Sequence, residues 1–288
     1  MGFEQFVLGH EPAIRLGLFV GVFAIVALWE QLAPRRGLTV SRALRWTGNL
    51  GLVILDTVLV RLLFPLAAVG VAALGAANGW GLLNRFQVPF WLAVPVAVIA
   101  MDFVIWLQHV MVHAVPALWR LHRVHHADLD YDLTTGARFH PIEIALSMLI
   151  KYATITVLGP PVLAVVIFEV LLNATAMFNH GNIRLPAALD RVLRWFVVTP
   201  DMHRVHHSVE DDETNSNFGF NLPWWDRLFG TYRAQPRAGH DAITIGIRGH
   251  ADPREVAHLE GMLRMPFKGA ADGYAINRRE WPGEKAAP

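Results

Sequence analysis

The chain contains no cysteine in 288 residues. Disulfides, thiolate metal sites and thiol nucleophiles are therefore excluded, and imidazole and carboxylate remain as the strong metal ligands. Charge is scarce too. Asp, Glu, Lys and Arg make up 17% of the residues and nearly cancel to a formal +1, so nothing in the balance favours nucleic acid as a partner. What is plentiful is apolar: 53% of the chain is hydrophobic and the mean hydropathy is positive, a composition of membrane proteins rather than of soluble domains. No low-complexity linker divides the sequence, and no repeat is present beyond one histidine motif. A single membrane-embedded domain over residues 1–288 is expected, with its motif-bearing core at about 95–235 and a mobile tail at about 270–288.

The apolar residues are gathered in runs long enough to cross a hydrocarbon core of about 30 Å. Ala13 to Leu32 lacks both a basic leader and a small-residue cleavage site, so it reads as a retained transmembrane helix. Leu50 to Ala77 follows, with Asp56 and Arg61 inside it and a kink expected at Pro65, and then Val88 to Val115. Ile142 to Phe178 is interrupted at Gly159, Pro160 and Pro161, which predicts a helical hairpin, down and back. The expected fold is thus an all-α integral membrane protein: about three transmembrane helices plus a hairpin broken at Gly159–Pro161, with a cytoplasmic, histidine-rich helical cap. Arg35, Arg36, Arg42 and Arg45 follow the first run and Arg120 and Arg123 the third, whereas the loop between the second and third holds only Arg85. This asymmetry puts the N-terminus outside and the histidines at the cytoplasmic face, of the inner membrane in a bacterium or the endoplasmic reticulum in a eukaryote.

Histidine carries the chemistry. Of 14 histidines, eight fall into three patterns: His109 and His113 in HVMVH, His122, His125 and His126 in LHRVHH, and His203, His206 and His207 in MHRVHH. Positions i, i+3 and i+4 share a helix face, so each HxxHH copy is expected to point three imidazoles at one spot. Zinc takes three or four protein ligands, so eight histidines exceed one ion and fit two neighbouring metals. His140 in ARFHPIE begins the hairpin and His180 in FNHGN ends it, which raises the candidate set to ten. Imidazole suits iron, copper, nickel and zinc alike, so ligand type leaves the metal open. A histidine-rich metal transporter is the reading of a different class, and it would place ligands near the bilayer midplane rather than at one end of the helices. Asp102, seven residues before His109, Glu143, three after His140, and Asn173 on the return arm are candidates to orient ligand imidazoles. Asp128, Asp130 and Asp132 read as a solvated acidic loop, and His10, His240, His250 and His258 stand apart from any ligand spacing.

Three further segments accompany these patterns: RFHPIE at Arg138–Glu143, NHGN at Asn179–Asn182 and PWWDRLFGTY at Pro223–Tyr232. From about Asp102 to Tyr232 the chain resembles the fatty acid hydroxylase and sterol desaturase family of integral-membrane oxygenases, and these segments look like its sterol desaturase branch. One departure is Ala176, four residues before His180, where branches acting on sphingolipid acyl chains have another histidine. The resemblance implies that His109, His113, His122, His125, His126, His203, His206 and His207 hold two iron ions, with His140 and His180 completing the set. It implies dioxygen as co-substrate and a lipid substrate, sterol-like, fatty-acyl or another isoprenoid, hydroxylated or desaturated at an unactivated carbon. An ether-lipid monooxygenase or a carotenoid-ring hydroxylase would share every motif. No haem-binding domain is visible in the sequence, so electrons are expected from a separate carrier, cytochrome b5-like or a ferredoxin with its reductase. The segment Asn221–Tyr232 is expected to form a lid or packed cap at the membrane interface, held by Asp226 and Arg227. Arg184, Arg191, Arg194 and Arg204 are expected to face anionic lipid head groups or an acidic carrier.

Overall fold

The structure, a computed structural model, describes residues 2–269; the expected mobile tail at 270–288 lies outside the described residues. Among the described residues there is no β-strand, only three isolated bridges. Helices follow the apolar runs. A short α1 (Phe3–Gly9) precedes α2 (Glu11–Leu32), whose first turn accepts Pro12 because an N–H there has no intrahelical partner to lose. Next come α3 (Arg42–Leu63) and α4 (Ala67–Ala77), separated where Pro65 breaks the hydrogen-bond ladder, then α5 (Leu82–Arg85) and α6 (Phe90–Ala114). After α7 (Pro116–His126), the hairpin arms are α8 (Pro141–Leu158) and α9 (Val162–Asn179). Short helices follow, among them α10 (Ala187–Leu193), α11 (Pro200–His206), α12 (Asp211–Thr214) and α13 (Trp224–Leu228).

Among the described residues, five segments are long and apolar enough to cross a membrane: α2, the kinked stretch Arg42–Arg85, α6, α8 and α9. Their outward faces carry large side chains, among them Leu16, Ile25, Ile54, Leu62, Trp91 and Leu149, all exposed. Their shared interior is built largely of small ones, with Ala68, Ala72, Ala93, Ala97 and Ala164 buried around Met101, Ile155 and Phe168. This distribution suits lipid as solvent, where helices associate by close approach rather than by hiding apolar surface. The α9 helix packs on α2, α4 and α6 and so lies inside the bundle.

Two turns set the directions that matter. Gly159 closes α8 in the left-handed conformation, φ 65° and ψ 50°, and Pro160 and Pro161 start the return. A Cβ on Gly159 would lie 2.2 Å from the Trp80 carbonyl oxygen, and one on Gly81 would lie 2.2 Å from the Gly159 nitrogen, so the two turns meet backbone to backbone. At the other end, Pro116 forces Val115 out of the helical region, to φ −99° and ψ 115°. The chain therefore turns sharply between α6 and α7, and α7 crosses the end of α6.

The acidic segment after α7 is not solvated. Asp128, Asp130 and Asp132 are all buried. Arg45 on α3 makes a two-pronged bond to Asp128, 2.7 Å at each prong, and reaches Asp132 at 2.6 Å. Asn49 bridges Asp128 and Thr134, and Arg138 donates to Asn49 and to the Val124 and Val256 carbonyls. Asp130 accepts from the Thr39 and Val40 N–H groups. Local polarity suggested solvent, but partners 79–91 residues earlier in the chain satisfy the carboxylates inside the protein.

Candidate metal centre

The turn at Val115–Pro116 brings α6 and α7 face to face, and α11 and the end of α9 close over them. Nine histidines, all buried, form two groups in which the candidate ligand atoms lie within 4.8 Å of one another. The first joins His109, His113, His122, His126 and His206; the second joins His125, His180, His203 and His207. Neither HxxHH copy serves a single spot. In the first copy the i, i+4 pair His122 and His126 goes to one group and His125 to the other; in the second copy His203 and His207 go to one and His206 to the other. Each helix presents its triplet to a boundary between two centres, which ties the centres together through α7 and α11.

Hydrogen bonds on the outer side of the rings decide what the inner side offers. The Nδ1–H of His109 donates to the Phe218 carbonyl and that of His206 to the Ser216 carbonyl, both at 2.7 Å; that of His122 donates to Glu143 at 2.7 Å and that of His180 to the Ala176 carbonyl at 2.8 Å. With the hydrogen on Nδ1, Nε2 presents a lone pair. Yet the His109 Nε2 stands 3.1 Å from that of His122 and 3.0 Å from that of His206, and the His180 Nε2 stands 3.2 Å from those of His125 and His207. Converging lone pairs repel unless a cation lies between them. Two nitrogens about 2.1 Å from one ion are about 3.0 Å apart at a right angle and about 3.4 Å apart at the tetrahedral angle, so the observed spacings fit shared coordination. The Nε2 atoms of His113 and His126 have no hydrogen-bond partner among the described residues. Burial holds His125, His126, His203, His206 and His207 well below the ordinary imidazole range and brings His180 down to about 3, so these rings are neutral at pH 7. Neutral, lone-pair-bearing and buried, the two groups fit two metal ions.

His140 stands outside both groups. It caps α8, its Nδ1 accepting from the Ile142 N–H at 3.2 Å, while its Nε2 faces the Leu263 carbonyl at 3.3 Å. Its position before Pro141 makes it an N-cap, and capping turns the ring toward its own helix. The expectation of ten converging histidines is thus corrected to nine. Asp102 is also redirected: it accepts from the Trp225 indole at 2.8 Å instead of meeting a histidine. Asn173 donates to the Glu169 carbonyl and bonds no histidine among the described residues, although it lines the cavity described below. Glu143 alone of the three candidates bonds a clustered ring, through His122.

The loop 214–219 supplies orienting groups that the sequence did not announce. Besides the Ser216 and Phe218 carbonyls, Asn215 Oδ1 accepts from His113 at 3.2 Å. This loop is held by Asp226, fully buried, which accepts from the Phe218 and Gly219 N–H groups, the Trp106 indole and the Thr231 hydroxyl at 2.7–3.1 Å. Burial pushes the Asp226 carboxyl up despite these donors. The WD pair in PWWDRLFGTY was the available signal. Arg227 lies between the Trp195 and Tyr232 rings, 4.1 and 4.0 Å from their centres. Arg194 and Arg204 are buried, on Asp190 and on Asp201, so only Arg184 and Arg191 of the expected basic set face outward.

A cavity of about 290 Å³ opens from His109 and His122 and runs between α3, α6, α8 and α9. Beside it, a cleft of about 440 Å³ is lined almost wholly by apolar residues of α6, α7 and α8, among them Leu107, Met111, Leu146 and Ile150, all exposed on the bundle surface. The two share Gln108, Val112, Glu143 and Ser147 in their walls.

Comparison with known proteins agrees with this geometry. Residues 94–231 match the family model for fatty acid hydroxylases. The chain is 26% identical over 249 residues to the ornithine lipid hydroxylase of Rhizobium tropici, covering 84% of this chain and 73% of that protein. It is 30% identical over 139 residues to the alkylglycerol monooxygenase of Xenopus tropicalis, covering 46% of this chain and 29% of that protein. With the Homo sapiens alkylglycerol monooxygenase it shares 28% identity over 144 residues, 48% of this chain and 30% of that protein. The chain thus spans less than a third of each of these two alkylglycerol monooxygenases. No solved structure gives a significant match. Motif order, a helical bundle of five apolar spans and these relatives lead to one conclusion: the chain is a multi-pass membrane protein of the fatty acid hydroxylase/sterol desaturase superfamily.

Proposed function

We propose that the protein is a membrane lipid hydroxylase with a two-iron centre held by His109, His113, His122, His126 and His206 on one side and His125, His180, His203 and His207 on the other. The observation that carries this reading is the convergence of Nε2 lone pairs, at 3.0–3.2 Å, beside a cavity that leads into an apolar cleft. Bound iron would supply the dioxygen chemistry that converts an unactivated C–H bond to an alcohol. The chain's own residues do the rest. Glu143 fixes the His122 tautomer, and the loop 214–219 fixes His109, His113 and His206 from the opposite side. The cleft between α6 and α8 admits a lipid chain from the bilayer, and the cavity brings one carbon next to His109 and His122 while excluding water. Relatives named as hydroxylases and monooxygenases favour hydroxylation over desaturation. The clustering of every candidate ligand at one end of the helices favours the enzyme over a metal transporter. The arginines around α2 and α3 favour a cytoplasmic centre fed by a separate electron carrier, cytochrome b5-like or ferredoxin-like.

The test is isotopic. Membranes containing the protein, given ¹⁸O-labelled dioxygen and a reducing system, should yield lipids heavier by one labelled oxygen, and His122→Ala membranes should not. Absence of labelled lipid with iron-loaded protein and competent reductant would remove the hydroxylase reading.

A further inference from the structure

The cavity beside His109 and His122 carries charged and amide side chains in its wall that a tunnel for an alkyl chain alone would lack. Asp56 on α3, Gln108 on α6, Glu143 and Lys151 on α8 and Glu169 on α9 all line it. Two of these account for each other: Lys151 lies 2.8 Å from one Glu169 oxygen, and Arg15 lies 3.0 Å from the other. Three acceptors are left over. Asp56 Oδ1, Gln108 Oε1 and Glu143 Oε2 have no hydrogen-bond partner among the described residues. Asp56 is 8% and Glu143 5% exposed, so bulk solvent does not satisfy them. An unpaired buried acceptor costs about 1–3 kcal/mol, and a carboxylate at membrane depth is retained mainly where it serves a function. The three residues come from three different helices and line one cavity, which marks the missing partner as a guest rich in donors. Glu143 already has the His122 ring on its other oxygen. Asp56, by contrast, forms no ion pair among the described residues, so the guest that suits it is a cation.

We propose that this cradle receives a primary ammonium group on the lipid substrate, with Asp56 as its counter-charge and Gln108 and Glu143 as the other two acceptors. An ammonium offers three N–H donors, which matches the three acceptors in number. At about 290 Å³ the cavity sits at the small end of ligand sites. It therefore holds the amine and the carbons near it, while the adjoining cleft of about 440 Å³ takes the alkyl chain. The cradle then sets the distance from the amine to the carbon beside His109 and His122. As a statement about substrate this rests on the lipid hydroxylase reading; as a statement about binding it does not need the metals.

The test separates the two. The full chain is placed in lipid nanodiscs, its iron content is measured, and binding of dodecylamine and of dodecanol is compared with empty nanodiscs subtracted. Wild type is expected to bind the amine at least about tenfold more tightly than the alcohol. Asp56→Asn, nearly isosteric, should abolish that preference and leave dodecanol binding in place; Gln108→Leu, on another helix, should reduce it severalfold. Equal binding of both probes by wild type, or a preference that survives Asp56→Asn, overturns the proposal. Should Asp56→Asn fail to fold, an undiminished preference in Gln108→Leu overturns it instead. Amine preference in iron-loaded protein that labels no lipid with competent reductant would leave the cradle standing and remove the hydroxylase reading. Labelled lipid from protein with no amine preference would do the reverse.

Discussion

Two buried polar clusters lie next to each other at one end of the helical bundle, joined by the single residue between His126 and Asp128, Ala127. In one, Arg45, Asn49, Arg138, Asp128, Asp132, Thr134 and Thr135 bond to one another, two guanidiniums against two carboxylates, and no side-chain nitrogen or oxygen is left over. In the other, nine imidazoles gather in two groups; His109, His113, His122, His180 and His206 are bonded through Nδ1 on their outer sides, and the Nε2 atoms converge with no donor between them. Burial is equal; completeness is not. A closed cluster describes a structural tie, here between α3 and the end of α7. An open one describes a site that something else completes.

The largest effect should come from opening the closed cluster. Asp128→Ala leaves Arg45 buried without its counter-charge, and about 3–5 kcal/mol of stability should be lost, enough to reduce the yield of folded protein in detergent. Normal thermal unfolding with metal loss alone would break the comparison by making the tie part of the centre. Glu143→Gln sharpens the other side. The fold should persist, because Glu143 bonds only the His122 ring among the described residues, but metal affinity should fall about 10–100-fold, about 1.4–2.7 kcal/mol, by competition with a chelator.

Acid should separate the clusters as well. The folded chain holds the titration of His125 and His207 below 6.5 and that of His180 down to about 3, so between those values the unfolded chain binds protons that the folded one refuses. Stability of metal-depleted protein should therefore fall as pH drops from 7 to 5, by up to about 1.4 kcal/mol per pH unit for each such ring. Burial alone would raise the Asp128 carboxyl, but Arg45 outweighs it and holds that group well below the usual carboxylate range. The closed cluster thus adds nothing to the slope in this window. A flat unfolding midpoint from pH 7 to 5 would contradict the reading. The smallest effect is expected at His140. His140→Ala should cost about 1 kcal/mol, the loss of one helix cap, with metal content unchanged.

The helices were legible because hydropathy is a local sum: the runs starting at Ala13 and Val88 became Glu11–Leu32 and Phe90–Ala114, and the break at Gly159–Pro161 became the hairpin turn. Histidine spacing also showed which rings could share a helix face. It could not show that α7 and α11 present that face to the boundary between two centres, because this depends on how α6, α9 and α11 converge on α7. Proximity in sequence misled at Asp102, where a neighbouring turn suggested His109 and the fold supplied Trp225 from 123 residues away. The acidic run misled for the same reason: the Arg45 that makes Asp128 structural lies 83 residues earlier. The carbonyls of Ser216 and Phe218 carry no signature, since any residue has one.

The central claim is that nine histidines form two centres and that each HxxHH copy serves both. The most direct measurement is metal stoichiometry by mass spectrometry on purified wild type, His206→Ala, His207→Ala and His140→Ala. The account predicts two irons per chain in wild type and in His140→Ala, and about one in each of the neighbouring variants His206→Ala and His207→Ala. A single metal in wild type, or two retained in both neighbouring variants, would contradict it.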